Sequence, residues 1–178
     1  MPDIFLDRDG VINYNRTDHV KSWEEFEFLP GSIEALVRLK RADYRVFVIT
    51  NQAIINRGIV TPAELNYIHL RMLEEVSQAG GQIKAVLYCP HRPEEKCGCR
   101  KPQPGLIRLA EQEYGAQVGG SWLIGDHLDD LTAGERAGCR TMLVLSGRST
   151  QASLEGRQLQ SASDLAEAVE IILRVRSA

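Results

Sequence analysis

Short apolar runs alternate along the chain with longer segments whose apolar residues recur at helical spacing. This alternation favours a mostly parallel sheet with helices on both faces, because buried parallel strands are continuously apolar and the helices between them are amphipathic. The sequence therefore predicts a doubly wound, Rossmann-like α/β fold. The predicted strands are Ile4–Asp7, Val46–Thr50, Ala85–Cys89, Trp122–Asp126 and Thr141–Leu145, and the predicted helices are Ser32–Lys40, Pro62–Gln78, Gly105–Tyr114, Leu128–Ala137 and, approximately, Ser163–Arg174.

The length of 178 residues is typical of one domain with one core. The 43% hydrophobic and 25% charged residues are ordinary for a folded protein, and no internal repeat or low-complexity tract interrupts the chain. The stretch from Gly147 to Gln160 is predicted to be a polar connection. We therefore expect residues 1–178 to form a single domain.

The net charge of −3 comes from 21 basic and 24 acidic residues, without a basic run. Because binding to duplex nucleic acid rests largely on neutralising phosphates, nucleic acid is not an expected partner. No basic segment followed by an apolar stretch opens the chain, and no apolar run approaches the roughly 20 residues that span a bilayer. The sequence therefore predicts a cytoplasmic protein without membrane contact, and the lack of a large apolar surface stripe favours a monomer.

Polar residues stand where three of the predicted strands end. Asp7 closes the first strand, Thr50 and Asn51 the second, and Gly125 with Asp126 the fourth. In open α/β sheets, ligands bind outside the carboxyl ends of the strands. Core packing does not explain polar residues at all three ends, so we expect them to form one site.

The residue types at these ends suit phosphoryl transfer. A phosphate monoester carries about two negative charges at neutral pH, so a carboxylate can attack phosphorus only if cations offset the repulsion. Asp7 is the candidate nucleophile, and Asp9, on the same side of the extended segment, is the candidate general acid and base. Asp126 is predicted to hold Mg²⁺ together with the Asp7 carboxylate and the Asp9 backbone carbonyl. Lys101 and Thr50 are predicted to contact the non-bridging oxygens.

Each of these residues also has a simpler interpretation. The pattern Asp7–Gly10 occurs in calcium loops and in ordinary turns. Asp126 could cap the following helix, Lys101 could be a solvated loop cation, and Thr50-Asn51 could end a strand without a further role. We interpret Asp130 as a surface residue of the same helix, or as one that acts indirectly, rather than as a metal ligand.

Three of the four cysteines lie within eleven residues, next to a histidine. Cys89-x-His91 and Cys97-x-Cys99 offer three thiolates and an imidazole, which suit a closed tetrahedral Zn²⁺ site of structural type. Scattered cysteines and redox sensing are the alternatives. Arg100 and Lys101 follow the last ligand directly, so we expect the metal to fix the loop that directs both cations at phosphate. The remaining cysteine, Cys139, is predicted to be a small buried thiol.

The segment Val11–Phe28 follows the first predicted strand and is too long for a plain turn. It carries Trp23, Phe26 and Phe28, and it could form a small cap over the site or pack its aromatic residues on the core. The chain has no room for a large cap domain.

The ordered motifs Asp7-Arg8-Asp9-Gly10, Thr50-Asn51-Gln52, Lys101 and Gly125-Asp126 resemble the four motifs of the haloacid dehalogenase superfamily of phosphohydrolases. A narrower resemblance, over about residues 3–148, is to the D-glycero-D-manno-heptose-1,7-bisphosphate 7-phosphatase family. The phosphatase half of histidinol-phosphate phosphatases shares many of these motifs. The motifs that carry the narrower resemblance are Phe5–Asn13, Thr50-Asn51-Gln52, Arg57-Gly58, Cys89-Pro90-His91 and Cys97–Pro102.

This resemblance implies Mg²⁺-dependent hydrolysis of a phosphomonoester through an aspartyl-phosphate, with a small phosphorylated sugar as substrate. The leading expectation is removal of the 7-phosphate of the heptose bisphosphate; histidinol phosphate or another small phosphosugar is the alternative. Asn15, Ala53 and His127 depart from the family pattern, so they leave the sugar specificity open. The implied substrate contacts are Asn15, Arg16, Thr17, Asp18, Asn51, Gln52, Ala53, Arg100 and His127.

Two non-enzymatic classes share some of these features. A phospho-receiver domain also combines an acidic pair with a lysine at a strand end, but it has no reason for a zinc loop or for a general acid two residues after the nucleophile. A zinc-organised binding module with decayed catalysis is expected to have lost the nucleophile or the lysine. Asp7, Asp9, Lys101 and Asp126 are all present.

Overall fold

The computed structural model describes residues 3–156 and 158–177, and in these ranges it contains one six-stranded sheet. Its strands are β1 Asp3–Leu6, β2 Arg45–Asn51, β3 Ala85–Cys89, β4 Trp122–Gly125, β5 Arg140–Val144 and β6 Ser161–Ala162. They follow the order β3-β2-β1-β4-β5-β6, and every neighbouring pair is parallel. The carboxyl ends of β2, β1 and β4 therefore lie side by side.

Helices cover both faces of the sheet because side chains of its inner strands alternate between two apolar clusters. Ile4 and Leu6 of β1 belong to one cluster, and Phe5 between them belongs to the other. The first cluster includes residues of α1, α2 and α5, and the second includes residues of α3 and α4. The predicted doubly wound α/β fold is confirmed. The helices are α1 Ser32–Arg41, α2 Pro62–Gln78, α3 Gly105–Tyr114, α4 Leu128–Ala137 and α5 Leu165–Ser177, with 3₁₀ turns at Trp23–Glu25, Pro93–Glu95 and Gln151–Leu154.

Local signals set several helix starts. Thr61 caps α2 and exchanges hydrogen bonds with Glu64, the reciprocal arrangement that satisfies backbone donors at a helix start. The cap of α4 is His127, whose side chain accepts from the backbone of Asp129. The interpretation of Asp126 as the cap of this helix is therefore wrong.

The sheet contains one strand more than predicted. Ser161–Ala162 pair with Leu143 and Val144 as an edge strand, and no strand is predicted at these two residues. Two residues are too few for an apolar period to appear. Asp164 then accepts from the backbone of Glu167, and α5 begins at Leu165, two residues later than predicted. The predicted domain limits, residues 1 and 178, lie outside the described residues.

The segment Val11–Phe28 packs its aromatic residues and borders the site. Trp23, Phe26 and Phe28 form an aromatic group with ring centroids 5.0 to 6.4 Å apart. Phe26 belongs to the first apolar cluster, and Trp23 and Phe28 pack against it. Residues 15–17, 19 and 20 line the cleft described below. One connection thus contributes to the core and to the rim of the cleft. In the part of the chain that the structure describes, no helix is long and apolar enough to cross a membrane.

Candidate active site

A cleft of about 660 Å³ opens at the carboxyl ends of β2, β1 and β4. It is lined by every predicted catalytic and substrate-binding residue except Asp18. Asp18 does not line the cleft; its side chain is 59% exposed and pairs with Arg16 and Lys21. The parallel topology therefore brings residues far apart in the sequence into one cavity.

Three buried carboxylates meet in this cleft. Asp7, Asp126 and Asp130 each place a carboxylate oxygen within 4.8 Å of the other two. Burial and the three neighbouring aspartates raise the pKa of Asp7 to about 8, against the opposing charge of Lys101. Burial and Asp130 raise the pKa of Asp126 to about 6. Carboxylates crowded together out of water favour a bound proton or cation, and a hard divalent cation such as Mg²⁺ prefers oxygen ligands, so this cluster fits it.

Lys101 lies between the carboxylates and the sheet. Its Nζ is 2.8 Å from Asp7 Oδ1 and 2.6 Å from Asp130 Oδ1, and it donates to the carbonyl of Ile49 at 2.9 Å. Burial opposes its charge, but Asp130 and Asp7 outweigh this effect and raise the pKa of Lys101. Asn51 holds the backbone of the same residue, because its amide accepts from the Lys101 N–H at 3.0 Å and donates to the Lys101 carbonyl at 3.1 Å. Lys101 is thus a fixed, permanently charged group rather than a solvated loop cation.

The Asp9 carboxylate is held apart from the cluster. It accepts hydrogen bonds from Arg8 at 2.9 and 3.0 Å, from Asn13 at 3.0 Å and from Gln52 at 2.9 Å. Burial opposes ionisation of Asp9, but the charge and hydrogen bonds of Arg8, with those of Asn13 and Gln52, lower its pKa. Gln52 also donates to Thr50 Oγ1 at 2.9 Å. Four hydrogen bonds thus hold the Asp9 carboxylate, and it is not part of the cluster of Asp7, Asp126 and Asp130.

A loop after β5 fixes Asp126. The backbone N–H of Arg148 donates to Asp126 Oδ2 at 2.7 Å, and that of Ser149 donates to the Asp126 carbonyl at 3.0 Å. The loop approaches closely because Gly147 lacks a side chain: a Cβ there would lie 2.2 Å from Asp126 Oδ2. Gly147 and Arg148 belong to no recognisable motif, so this support could not be predicted from the sequence.

Replacing Gly147 with alanine should weaken metal binding. The added methyl group would displace the Asp126 carboxylate or the loop that holds it, and losses of this kind cost about 10- to 100-fold in metal affinity. We expect the Mg²⁺ concentration for half-maximal activity to rise at least about tenfold. Gly119→Ala is the matched control, since a Cβ at Gly119 meets nothing within 4 Å. An unchanged Mg²⁺ dependence in Gly147→Ala would contradict the role of Asp126 as a ligand.

Asp130 differs from its sequence interpretation as a surface residue. It is 2% exposed, pairs with Lys101, and accepts from the backbone N–H of His127 at 3.0 Å. Its burial depends on Gly125, since a Cβ there would lie 2.2 Å from that of Asp130. Gly125 is the feature of the sequence that indicates this burial, because a glycine in a strand often marks the close approach of another group.

All predicted substrate-binding residues except Asp18 line the cleft. Arg16 and Thr17 come from the segment after β1, Ala53 follows β2, and Arg100 precedes the lysine. Arg57 and Arg148, which were not predicted to bind substrate, line the same cleft. Several cations thus surround the carboxylate cluster, as an anionic substrate requires. The individual substrate contacts stay predictions.

The cysteine-rich loop brings its four candidate ligands together. The contacts among the three sulfurs and His91 Nδ1 include distances of 3.1 to 3.5 Å, and all four atoms lie within 4.8 Å of one another. All four cysteines of the chain are free. A zinc tetrahedron with Zn–S bonds of about 2.3 Å has edges of roughly 3.5 to 3.8 Å, so the cluster is compatible with Zn²⁺. Cys139, by contrast, is buried beside Ser121, as predicted.

Comparisons with known proteins identify the family of this chain. A family model described as HAD-hydrolase-like, where HAD stands for haloacid dehalogenase, matches residues 98–168. A D-glycero-beta-D-manno-heptose-1,7-bisphosphate 7-phosphatase of Bordetella bronchiseptica is 40% identical over 174 residues, which cover 96% of this chain and 97% of the relative. The chain belongs to this phosphatase family. Its Pseudomonas aeruginosa relative of the same name is 42% identical over 145 residues, 82% of each chain.

A solved structure of the heptose-bisphosphate phosphatase family supports the interpretation of the cleft. The D,D-heptose 1,7-bisphosphate phosphatase of B. bronchiseptica, crystallised with magnesium and phosphate, matches with a TM-score of 0.92 and 39% identity over 98% of this chain and 99% of that chain. The resemblance inferred from the motifs is therefore confirmed, and the protein is a phosphatase of the haloacid dehalogenase superfamily.

Proposed function

We propose that this protein, acting as a single domain, removes the 7-phosphate of D-glycero-D-manno-heptose 1,7-bisphosphate through an aspartyl-phosphate on Asp7. The observation that carries the proposal is the Asp7 carboxylate, ion-paired with Lys101 at 2.8 Å inside a cleft that opens at the strand ends. The substrate is supported by the names of the relatives, which are 40% and 42% identical. The monomeric state and the cytoplasmic location stay predictions.

The residues of the cleft supply each part of the reaction. Asp7 attacks phosphorus while Lys101 and Thr50 stabilise the charge on the non-bridging oxygens. For the acid step Asp9 must first take up a proton from solvent, against the hydrogen bonds that lower its pKa in the free cleft; it then gives this proton to the departing sugar oxygen and later takes one from the water that cleaves the aspartyl-phosphate. Asp7, Asp126 and the Asp9 backbone carbonyl would hold Mg²⁺, which supplies positive charge against the phosphate and the carboxylates. The relative crystallised with magnesium and phosphate supports this assignment.

A structural Zn²⁺ bound by Cys89, His91, Cys97 and Cys99 would fix the loop that carries Lys101. That loop also joins the end of β2 through protein contacts. The backbone N–H of Gln52 donates to the Cys89 carbonyl at 2.8 Å, and Asn56 donates to both carboxylate oxygens of Glu95 at 3.0 and 3.1 Å. The metal would therefore act on catalysis through the position of the loop.

Zinc removal should weaken both substrate binding and stability. Without the metal, the loop loses its crosslink, and Arg100, which donates to the carbonyl of His91, loses its fixed direction, whereas Lys101 stays bound to Asn51 and Ile49. We expect a higher KM and a lower melting temperature in chelated protein and in Cys97→Ser, with metal content measured on the same samples. Cys139→Ala, outside the cluster, should keep its zinc and its KM. Full activity and unchanged KM in demonstrably zinc-free protein would contradict this role.

The sugar specificity depends on residues at the cleft opening. Asn15, Ala53 and His127 depart from the family pattern and all line the cleft. Because none of their side chains has a predicted role in phosphoryl transfer, a change of substrate to histidinol phosphate or to another phosphosugar would leave the phosphoryl chemistry intact. This alternative is an outcome of the test below.

The test is phosphate release by purified protein with Mg²⁺ from both heptose bisphosphate anomers, histidinol phosphate and simple phosphosugars, with Asp7→Asn as the blank. Preference for one heptose bisphosphate, lost in the blank, would support the whole proposal. Preference for histidinol phosphate would retain the mechanism and overturn the substrate. Phosphate trapped once without turnover would favour a phospho-receiver, and no reaction with any ester would favour a zinc-organised binding module.

A further inference from the structure

The buried face of α2 carries one polar side chain, His69, together with Leu65, Ile68, Met72 and Val76. His69 is 5% exposed, and its Nε2 lies 3.1 Å from Nη1 of Arg8. A guanidinium group has donors and no acceptor, so Nε2 must accept this hydrogen bond and the imidazole must be neutral. Burial, with the charge of Arg8, lowers the pKa of His69 to about 3, in agreement with a neutral ring.

Arg8 connects this histidine with the active site. It is 1% exposed, and its Nη2 donates to both carboxylate oxygens of Asp9. Its Nε has no hydrogen-bond partner, and its guanidinium lies 5.9 Å from the ring centroid of Phe26. Arg8 thus uses its two terminal nitrogens differently: Nη2 donates to Asp9, and Nη1 donates to His69.

We propose that His69 is a positioning residue that directs Asp9 through Arg8. The inference rests on the proposed function, in which Asp9 must reach the oxygen that leaves phosphorus. Without an acceptor at position 69, Nη1 of Arg8 would be buried and unpaired, and the guanidinium would rotate to find another partner. The two hydrogen bonds to Asp9 would then change direction, and the Asp9 carboxyl group would lose its alignment with the leaving oxygen.

The chemistry of the leaving group separates this role from a merely structural one. When Asp7 attacks, the bond between phosphorus and the ester oxygen breaks, and a sugar alkoxide needs the proton of Asp9 to depart. p-Nitrophenolate and acetate are stable anions that leave without that proton. The ratio kcat/KM includes only the steps up to release of the first product, so the later role of Asp9 as a base does not enter it.

The test compares kcat/KM of the Mg²⁺-loaded protein for heptose bisphosphate, or for the phosphosugar that the wild type prefers, with kcat/KM for p-nitrophenyl phosphate and acetyl phosphate. General acid catalysis contributes roughly 10²–10⁴-fold, so misalignment in His69→Leu should lower the value for the sugar phosphate by about 10- to 100-fold. The values for the activated esters should stay within about threefold, since their leaving groups need no proton.

Two amide variants and one neighbour serve as matched controls. His69→Gln places its amide oxygen near the position of Nε2 and should restore most of the sugar phosphate activity. His69→Asn is one methylene shorter and should not. Ile68→Val, on the same buried face, removes volume without touching Arg8 and should keep the ratio between the two kinds of ester. Thermal melting of each variant reports its folding.

Equal loss on the sugar phosphate and the activated esters, or unchanged kinetics in His69→Leu, would overturn the inference. If His69→Leu does not fold, His69→Gln is compared with His69→Asn instead. The same ratio of kcat/KM for the sugar phosphate to kcat/KM for the activated esters in both variants would overturn the inference. If the wild type is active but the ratio of kcat/KM for the two kinds of ester is the same in the His69 variants, only the role of His69 is refuted. A wild type that releases phosphate from no ester refutes the proposed function and this inference together.

Discussion

Replacing Asp7 with asparagine is expected to abolish phosphate release, with a loss of at least about four orders of magnitude, as for nucleophiles of other covalent hydrolases. The amide has nearly the shape of the carboxylate but cannot form the acyl-phosphate bond. Lys101 and the other aspartates remain in place, so the substrate should still bind. The measurement is phosphate release with Mg²⁺, together with substrate binding by calorimetry.

The same variant also tests the electrostatics of the cleft. Burial and neighbouring carboxylates raise the pKa of Asp7, so its charge is unfavourable in the metal-free protein. Asp7→Asn should therefore be at least as stable as the wild type without Mg²⁺. Asp43→Asn makes the same charge change in an exposed left-handed turn that asparagine tolerates, and it should keep full activity. Substantial turnover by Asp7→Asn would exclude Asp7 as the nucleophile.

Replacing Lys101 with methionine is expected to lower kcat by about 10²–10³-fold, the usual cost of losing one donor that stabilises transition-state charge. The variant should also be less stable, since Asp7 and Asp130 would lose the cation between them while staying buried. Removing one partner of a buried ion pair costs about 3–5 kcal/mol. Activity assays and thermal melting, each with and without Mg²⁺, measure the two effects.

A second substitution separates the two effects of Lys101. In Lys101→Met/Asp130→Asn, one of the uncompensated charges is removed, so much of the stability should return while activity stays low. Lys84→Met, at an exposed lysine before β3, is the control for the loss of a positive charge. Near-normal kcat in Lys101→Met would show that this lysine does not stabilise the transferred phosphoryl group.

The fold could be predicted from the sequence because strands buried on both faces leave continuous apolar runs. Val46–Thr50 and Trp122–Asp126 each overlap an observed strand within one residue at either end. The edge strand Ser161–Ala162 could not be predicted, because a pair of small residues carries neither a period nor strong β propensity. Its position depends on pairing with β5, which is a tertiary contact.

The parts of the site that could be predicted are those marked by the end of a strand or by the spacing of metal ligands. Asp7 and Asp126 stand at strand ends, and the cysteine pairs have the spacing of a metal site. The interpretation of Asp130 as a surface residue was wrong, because a residue one turn into a helix has the same local sequence whether it faces solvent or a neighbouring strand; its indirect role, for which the ion pair with Lys101 is the basis, stays a prediction. The contact of His69 with Arg8 could not be predicted, since 61 residues separate them and no local pattern marks it.

The side chain of Asn51 makes two hydrogen bonds with the backbone of Lys101, so the position of the lysine does not depend on the sequence of the loop before it. The N–H and the carbonyl of Lys101 are bound by a strand end, and its Nζ is bound by the Ile49 carbonyl of the same strand. The stretch between His91 and Cys97 can therefore change in length and composition while the lysine keeps its place. Engineered variants with a longer or shorter stretch are therefore expected to keep the same reaction centre.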